Sequence, residues 1–507
     1  MIRKIVSIED LKKIVSKLKV KEKKTVLCHG VFDLLHIGHI NHFQEAKNYG
    51  DILVVSVTSD QHVNKGPNRP AFGEENRLKA LAALNAIDYV VLSKDPTSIS
   101  IINELKPSIY CKGQDYRINQ NDISGEIKNE INAVKKNGGK IIYTKGITFS
   151  SSNLINKFSQ TYSNEQKTLI GKIKKKYSFI EIRRLIENFK KLKVLVIGET
   201  IIDQYVFCDA LGKSGKESML VLRELNTEQY LGGAAAISRH LSQFCSKITL
   251  LSMLGGKSEF LREIKKNLPK NIKFNYIKKK NSPTIVKKRF LDYVNKNKVL
   301  GVYKIDDDAL TNVEEKLFIF KLKKLLSSHD LVIVSDYGHG LISKKSSKII
   351  CKNSKYLALN AQINAANVGY HSMRNYENVN CVIINERELR HELRDKNGNL
   401  EILMKRLTKE QNIKNLVVTR GDQGSVFYNE KKNKFNLCEA YAKTATDKIG
   451  SGDAMLAVIA LCLKSGINRE LASLIASLAA AQSVATIGNK ESINKTQILK
   501  SLDSILK

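Results

Sequence analysis

Short runs of consecutive apolar residues alternate along this chain with longer stretches whose apolar positions recur every three or four residues. The first pattern predicts strands buried on both faces, the second helices that lay one apolar face on them. Between Lys24 and about Ser159, strands are expected at 25–28, 52–57, 89–92, 109–112 and 140–143, and helices at 40–48, 74–85, 99–105 and 126–137. Such alternation implies βαβ units and a parallel sheet covered by helices. A polar stretch from Ser159 to about Tyr177 offers little to bury and reads as a linker leading to a helix over 180–189. A second strand–helix alternation opens at Val194-Leu195-Val196-Ile197-Gly198 and runs to the C-terminus. The expected fold class is α/β: a first domain over 1–160, a linker and helix over 161–190, and a larger domain over 191–507. Neither domain shows a solenoid-type repeat.

Composition narrows the picture. A length of 507 residues accommodates two or three domains, and a 42% hydrophobic content is enough for ordinary cores. No apolar run approaches the roughly 18 to 20 residues of a membrane span. The start, Met1-Ile2-Arg3-Lys4 with Glu9 and Asp10 close behind, lacks the apolar segment of a secretory signal. Eight cysteines are scattered through apolar runs with no CxxC and no Cys/His spacing, so neither a disulfide framework nor a zinc site is expected. A reduced, cytoplasmic setting follows. The net charge of +34 raises nucleic-acid binding. However, the lysines are spread along the whole chain, and the short basic runs, such as Lys287-Lys288-Arg289, are not interleaved with aromatic residues. A solvated surface that steers small anions is the expectation, with no nucleic-acid partner.

Two segments carry chemistry. In the first, the strand ending at Cys28 runs into His29-Gly30-Val31-Phe32-Asp33, and a helix opens after His36-Ile37-Gly38-His39. Two histidines three positions apart can aim both rings at one anion. The intervening glycine permits close backbone approach, and the helix start adds free N–H groups and a favourable dipole. This string resembles the HxGH nucleotidyltransferase superfamily, in particular its cytidylyltransferase-like branch, over roughly residues 20 to 160. Three further segments agree: Glu75-Asn76-Arg77-Leu78 in an arginine-bearing helix, Lys112-Gly113-Gln114-Asp115-Tyr116 in a turn, and Phe149-Ser150-Ser151-Ser152-Asn153 at the start of a last helix. The resemblance implies a Rossmann-like domain in which a substrate phosphate attacks the α-phosphorus of ATP or CTP and releases pyrophosphate. His36 and His39 would lie on the phosphates, and Mg²⁺ would assist. Gly30, Phe32, Gly38, Arg77, Lys112, Ser150, Ser151 and Ser152 would bind the nucleotide and its phosphates. His29 and His42 are read as bystanders.

In the second segment, Asp447-Lys448-Ile449-Gly450-Ser451-Gly452-Asp453 precedes an apolar helix. Two glycines let backbone N–H groups converge on an anion, and the adjacent carboxylate can take a hydroxyl proton as general base. This turn resembles the Asp-Thr-x-Gly-Ala-Gly-Asp signature of the ribokinase-like (PfkB) carbohydrate kinases, with lysine for threonine and serine for alanine. Four other stretches agree, and together the likeness spans about residues 190 to 500. They are Gly198-Glu199-Thr200-Ile201-Ile202-Asp203, Gly232-Gly233-Ala234, Asn385-Glu386-Arg387-Glu388 and Val418-Thr419-Arg420-Gly421-Asp422-Gln423-Gly424. The resemblance implies Asp453 as catalytic base and Gly450, Ser451 and Gly452 as the anion hole for ATP. Asp203, Gly232 and Gly233 would lie on the sugar, with Asn385 and Glu388 as indirect Mg²⁺ ligands. It also brings in a homodimer formed through a lid, without fixing that state.

The chain departs from that family on the sugar side. Ala236 stands where an asparagine is usual, and Asn360-Ala361-Gln362 stands where Asp-Pro-Lys is usual. Taken together, the halves resemble the bifunctional sugar kinase/nucleotidyltransferases of ADP-heptose synthesis, which serve lipopolysaccharide, with the domain order reversed. The implied substrates are a sugar and a sugar phosphate. The alternative is a glycerol-phosphate-type cytidylyltransferase with a non-catalytic, kinase-like sugar-binding domain.

Overall fold

A computed structural model describes residues 4–63, 65–66, 69–114, 123, 125–145, 151–158, 162–442 and 444–507. Contacts divide the chain into two compact units: Met1–Asn164 together with Thr496–Lys507, and Glu165–Lys495.

The first unit holds a five-stranded sheet of β1 (Thr25–Gly30), β2 (Ile52–Thr58), β3 (Tyr89–Ser93), β4 (Ile109–Lys112) and β5 (Lys140–Tyr143). The order is β3-β2-β1-β4-β5, and all the pairings are parallel. The near-continuous apolar runs of β1 and β2 suit strands covered on both sides, and Val26, Leu27, Leu53 and Val55 are fully buried. The strand order reverses between β1 and β4, and the crevice at such a reversal is where doubly wound sheets bind ligands.

A helix over Ile8–Val20, absent from the sequence expectations, covers this sheet through Leu11 and Val15 and is capped by Ser7. The helix Lys495–Leu506 buries Ile498, Leu499, Leu502 and Ile505. It meets the helix Ser151–Phe158, where Asn156 Nδ2 donates to the Ser504 carbonyl at 2.7 Å. Local pattern does not record which unit a terminal segment joins, so the sequence expectation kept it with the second domain.

In the second unit, the polar stretch read as a linker contains a helix over Asn164–Lys174, because Leu169, Ile170 and Ile173 share one buried face. The main sheet runs β10 (Ile272–Lys279), β9 (Lys247–Gly255), β6 (Lys193–Gly198), β13 (Leu331–Asp336), β14 (Leu357–Ala361), β15 (Cys381–Asn385), β16 (Asn415–Thr419), β17 (Ser425–Asn429), β18 (Lys434–Cys438). It is parallel as far as β16 and antiparallel from there on. A separate four-stranded sheet has the order β12 (Lys298–Lys304), β11 (Val286–Asp292), β7 (Thr200–Lys213), β8 (Leu220–Gly233). The apolar helix Ser451–Lys464 is buried along most of its length, from Ala454 to Cys462. Among the described residues, no helix is long and apolar enough to cross a membrane.

Candidate active sites

In the first unit, β1 ends at Gly30 and the helix Ile37–Lys47 begins after His36, which serves as its N-cap without any side-chain capping bond. The first N–H groups of that helix, Gly38 among them, are therefore left without a side-chain acceptor. His36 and His39 stack with ring centroids 3.9 Å apart. Burial, followed by the charges of His36 and Lys65, holds the His39 imidazole down at about 3. Burial and then Lys65 lower His36 as well. Both rings are thus neutral at physiological pH in the free protein. Phe32 adopts φ +51° and turns its ring inward, against His39 at 5.4 Å and Phe43 at 5.1 Å. A Cβ at Gly30 would meet the Phe32 ring at 2.9 Å. Gly30 and Phe32 therefore shape the loop and brace His39, with the Phe32 side chain packed inside.

Two expected phosphate ligands are committed elsewhere. Arg77 is 2% exposed. Its guanidinium donates to the carbonyls of Phe72 (3.0 Å), Val31 (2.6 Å) and Thr58 (2.8 Å) and to Asp60 Oδ1 (2.5 Å). It fastens the motif loop to the end of β2. Lys112 forms a buried ion pair with Glu130, which also accepts from Ser98 at 2.7 Å. Ser152 is buried, with its hydroxyl 3.2 Å from that of Ser504. Ser151 opens its helix, and Ser150 lies outside the described residues. The cation the sequence reading missed is Lys65, whose charge reaches both motif histidines. Burial lowers it to about 8 against the opposing pull of Asp33. Its neighbour Arg69 pairs with the buried Asp33 at 3.3 Å.

In the second unit, a cavity of about 890 Å³ opens at the C-terminal ends of the parallel strands, and Asp203, Gly233, Asn385, Glu388, Gly450, Ser451, Gly452 and Asp453 all line it. Gly450 caps the helix Ser451–Lys464 at φ +88°, a conformation that favours glycine, and no side chain caps its N–H groups. A Cβ on Gly450 would strike Asn489 Oδ1 at 2.2 Å, whereas one on Gly452 would meet nothing within 4 Å. The turn is anchored by buried Asp447. Its carboxylate accepts from Tyr205 Oη (3.1 Å), Gly488 N (3.0 Å), Ile449 N (3.1 Å) and Lys298 Nζ (2.5 Å). Asp203 lies against Gly232, where a Cβ would be 2.1 Å from its Oδ2, and pairs with Arg289 at 2.5 Å.

Comparison with known proteins agrees with this geometry. The pfkB family carbohydrate kinase model matches residues 191–496, and the cytidylyltransferase-like model matches residues 27–158. The chain belongs to the pfkB family of carbohydrate kinases. A cytidylyltransferase-like domain precedes that unit. Two similar curated proteins are called bifunctional protein HldE. The one from Geobacter metallireducens is 38% identical over 168 residues, covering 32% of each chain. The one from Helicobacter pylori J99 is 36% identical over 156 residues, covering 30% of this chain and 32% of its own. The chain thus spans about a third of the length of these relatives. Escherichia coli phosphofructokinase-2 in complex with potassium superposes with a TM-score of 0.51 at 13% identity, over 62% of this chain and all of its own, which shows the fold alone.

In the pfkB unit, Asp453 is partly buried and its carboxyl is pushed up to about 7 by desolvation, while a bond from Tyr337 opposes the shift. Tyr337, Lys287, Arg289, Tyr303 and Lys448 also line the cavity. The motifs did not flag the first four, since they lie on β11, on β12 and just after β13, outside the motif segments. Asn385 and Glu388 form a capping box on the helix Glu386–Leu393: Asn385 Oδ1 accepts from Glu388 N, and Glu388 Oε2 accepts from Asn385 N, both at 2.8 Å. Their spacing thus has a structural use of its own. Desolvation holds Glu388 at about 7. Asn360 and Gln362 line the cavity; Ala236 is buried in its helix and is absent from the lining. Uncapped N–H groups, the open face at Gly452, Lys448 and the Asp453 and Glu388 carboxylates in one cavity fit a polyphosphate carrying Mg²⁺.

Proposed function

We propose that the chain carries two activities. In the pfkB unit, a sugar hydroxyl attacks the γ-phosphorus of ATP. Asp453 accepts its proton, and the N–H groups of Gly450–Asp453 receive the developing charge. In the N-terminal unit, a sugar phosphate attacks the α-phosphorus of ATP or CTP and releases pyrophosphate, with His36 and His39 placed against the phosphates. Mg²⁺ neutralises polyphosphate charge when bound; Asn385 and Glu388 would hold it through water in the pfkB unit. The product is a nucleotide-activated sugar of the ADP-heptose kind, used for surface glycan in a cytoplasmic synthesis.

The observation that carries this reading is the shared cavity: Asp453 beside an uncapped helix start, with Lys287 and the Asp203–Arg289 pair on its other wall. Lys287 adds a positive charge there, which supports an acceptor that already bears an anionic group. Exposed Leu211, Leu220, Leu300 and Val302 on the four-stranded sheet support pairing with a second copy.

The test is ATP consumption and pyrophosphate release with Mg²⁺, ATP or CTP, and a panel of heptose, hexose and glycerol phosphates. ADP formation with a sugar acceptor, lost in Asp453→Asn, supports the kinase assignment. Pyrophosphate release from CTP with a polyol phosphate and no ADP formation would replace it with the glycerol-phosphate-type cytidylyltransferase.

A further inference from the structure

Cys28, His42 and Cys111 are far apart in sequence and come from three elements of the N-terminal unit. β1 and β4 are parallel neighbours with Cys28 directly opposite Cys111, so both thiols leave the sheet on one face. Both are buried, at 0% and 1% exposure, in the core that includes Val26, Phe43 and Val55. His42 lies on the helix Ile37–Lys47, three residues past His39. One donor atom from each residue lies within 4.8 Å of the other two.

The imidazole is prepared from outside. Thr144 Oγ1 stands 2.9 Å from His42 Nδ1 and donates to the Lys112 carbonyl at 3.4 Å. With its proton directed there, the hydroxyl accepts from Nδ1–H, which fixes the tautomer and leaves the lone pair on Nε2. Both thiols lie in an apolar core, where a bound divalent cation would supply the charge that holds them as thiolates. Binding releases two protons to solvent and forms two metal–sulfur bonds and one metal–nitrogen bond. The resulting complex of M²⁺, two thiolates and a neutral imidazole has zero net charge, so it suits an apolar interior.

We propose that Cys28, His42 and Cys111 form a zinc site beneath the HxGH loop. Two sulfurs and one imidazole nitrogen are a zinc-type donor set. The metal would tie β1, β4 and the motif helix together directly under His36 and His39, and this proposal stands whether or not the transferase reading does.

The test uses the reduced full-length chain, stripped with chelator, titrated with zinc, desalted and analysed for metal. It is run beside Cys28→Ser/Cys111→Ser and His42→Ala, with melting curves to confirm folding. The wild type should retain about one more zinc per chain than the double variant, consistent with a single three-ligand site. Cadmium substitution should give a thiolate charge-transfer band that the double variant lacks. Zinc should also raise the melting temperature of the wild type and leave the double variant unmoved. Equal zinc retention by wild type and double variant, or a Cys28–Cys111 disulfide in the untreated protein, overturns the site. If the double variant fails to fold, the single variants Cys28→Ala and Cys111→Ala carry the same comparison.

Discussion

The Tyr337 hydroxyl donates to Asp453 Oδ1 across 3.0 Å, linking the residue after β13 to the first turn of the helix Ser451–Lys464. That bond favours the ionised form of the carboxyl, against the desolvation that raises it. Tyr337 therefore acts as a positioning residue for the proposed base. Tyr337→Phe should lower kcat at pH 7 by about tenfold, the size of a hydrogen bond to a charged group, and move the acid limb of the pH profile upward. KM for ATP should stay unchanged. A shifted limb separates this role from simple packing.

Asp453 also sets a conflict between stability and turnover. Its folded carboxyl sits at about 7, above the ordinary carboxylate range, so its contribution to stability is fully present below that ordinary range and is lost as pH rises through about 7. Sugar phosphorylation needs the ionised form and should fall as pH drops below 7. Asp453→Asn should abolish phosphorylation by about 10² to 10⁴-fold. It should also melt higher than wild type at pH 8, with the gap closing towards pH 5. Both are checked by an ADP-coupled assay and by thermal melting across pH.

His36→Ala and His39→Ala should each reduce pyrophosphate release by about 10²-fold or more, the scale of removing one preorganised phosphate contact, while leaving ADP formation by the pfkB unit intact. A joint loss of both activities would point to unfolding, which melting would reveal.

Arg77→Ala should act on stability. It removes the donor to three backbone carbonyls and to Asp60 Oδ1, while Asp60 Oδ2 keeps the Glu74 N–H. A loss of about 1 to 3 kcal/mol is expected for leaving buried acceptors unpaired, since the Asp60 side chain itself is 41% exposed and can be solvated. Urea denaturation should show that loss, and Arg77→Lys should recover only part of it, because an ammonium cannot reproduce the fork of contacts.

The motif-bearing loops were legible because their residues are contiguous. Gly450, Ser451, Gly452 and Asp453 are consecutive, so backbone geometry alone brings them to one helix start. The same holds for His36 and His39 across one turn. Arg77 and Lys112 were misread because their motif positions say nothing of partners that arrive from elsewhere, such as Val31, Thr58 and Glu130. The capping box of Asn385 and Glu388 shows the reverse case: one spacing serves both a helix start and a proposed metal role.

The sequence by itself determined two α/β domains and the glycine- and histidine-bearing turns proposed to face phosphate, since these follow from short-range periodicity and from contiguous glycines, histidines and carboxylates. Only the tertiary structure decided which unit holds the last helix, that Lys287, Arg289 and Tyr337 line the cavity with Asp453, and that Cys28 stands opposite Cys111 with His42 beside them. The reason is physical. Strand order and register bring together side chains separated by tens to hundreds of residues, and no local pattern records which strand will be the neighbour.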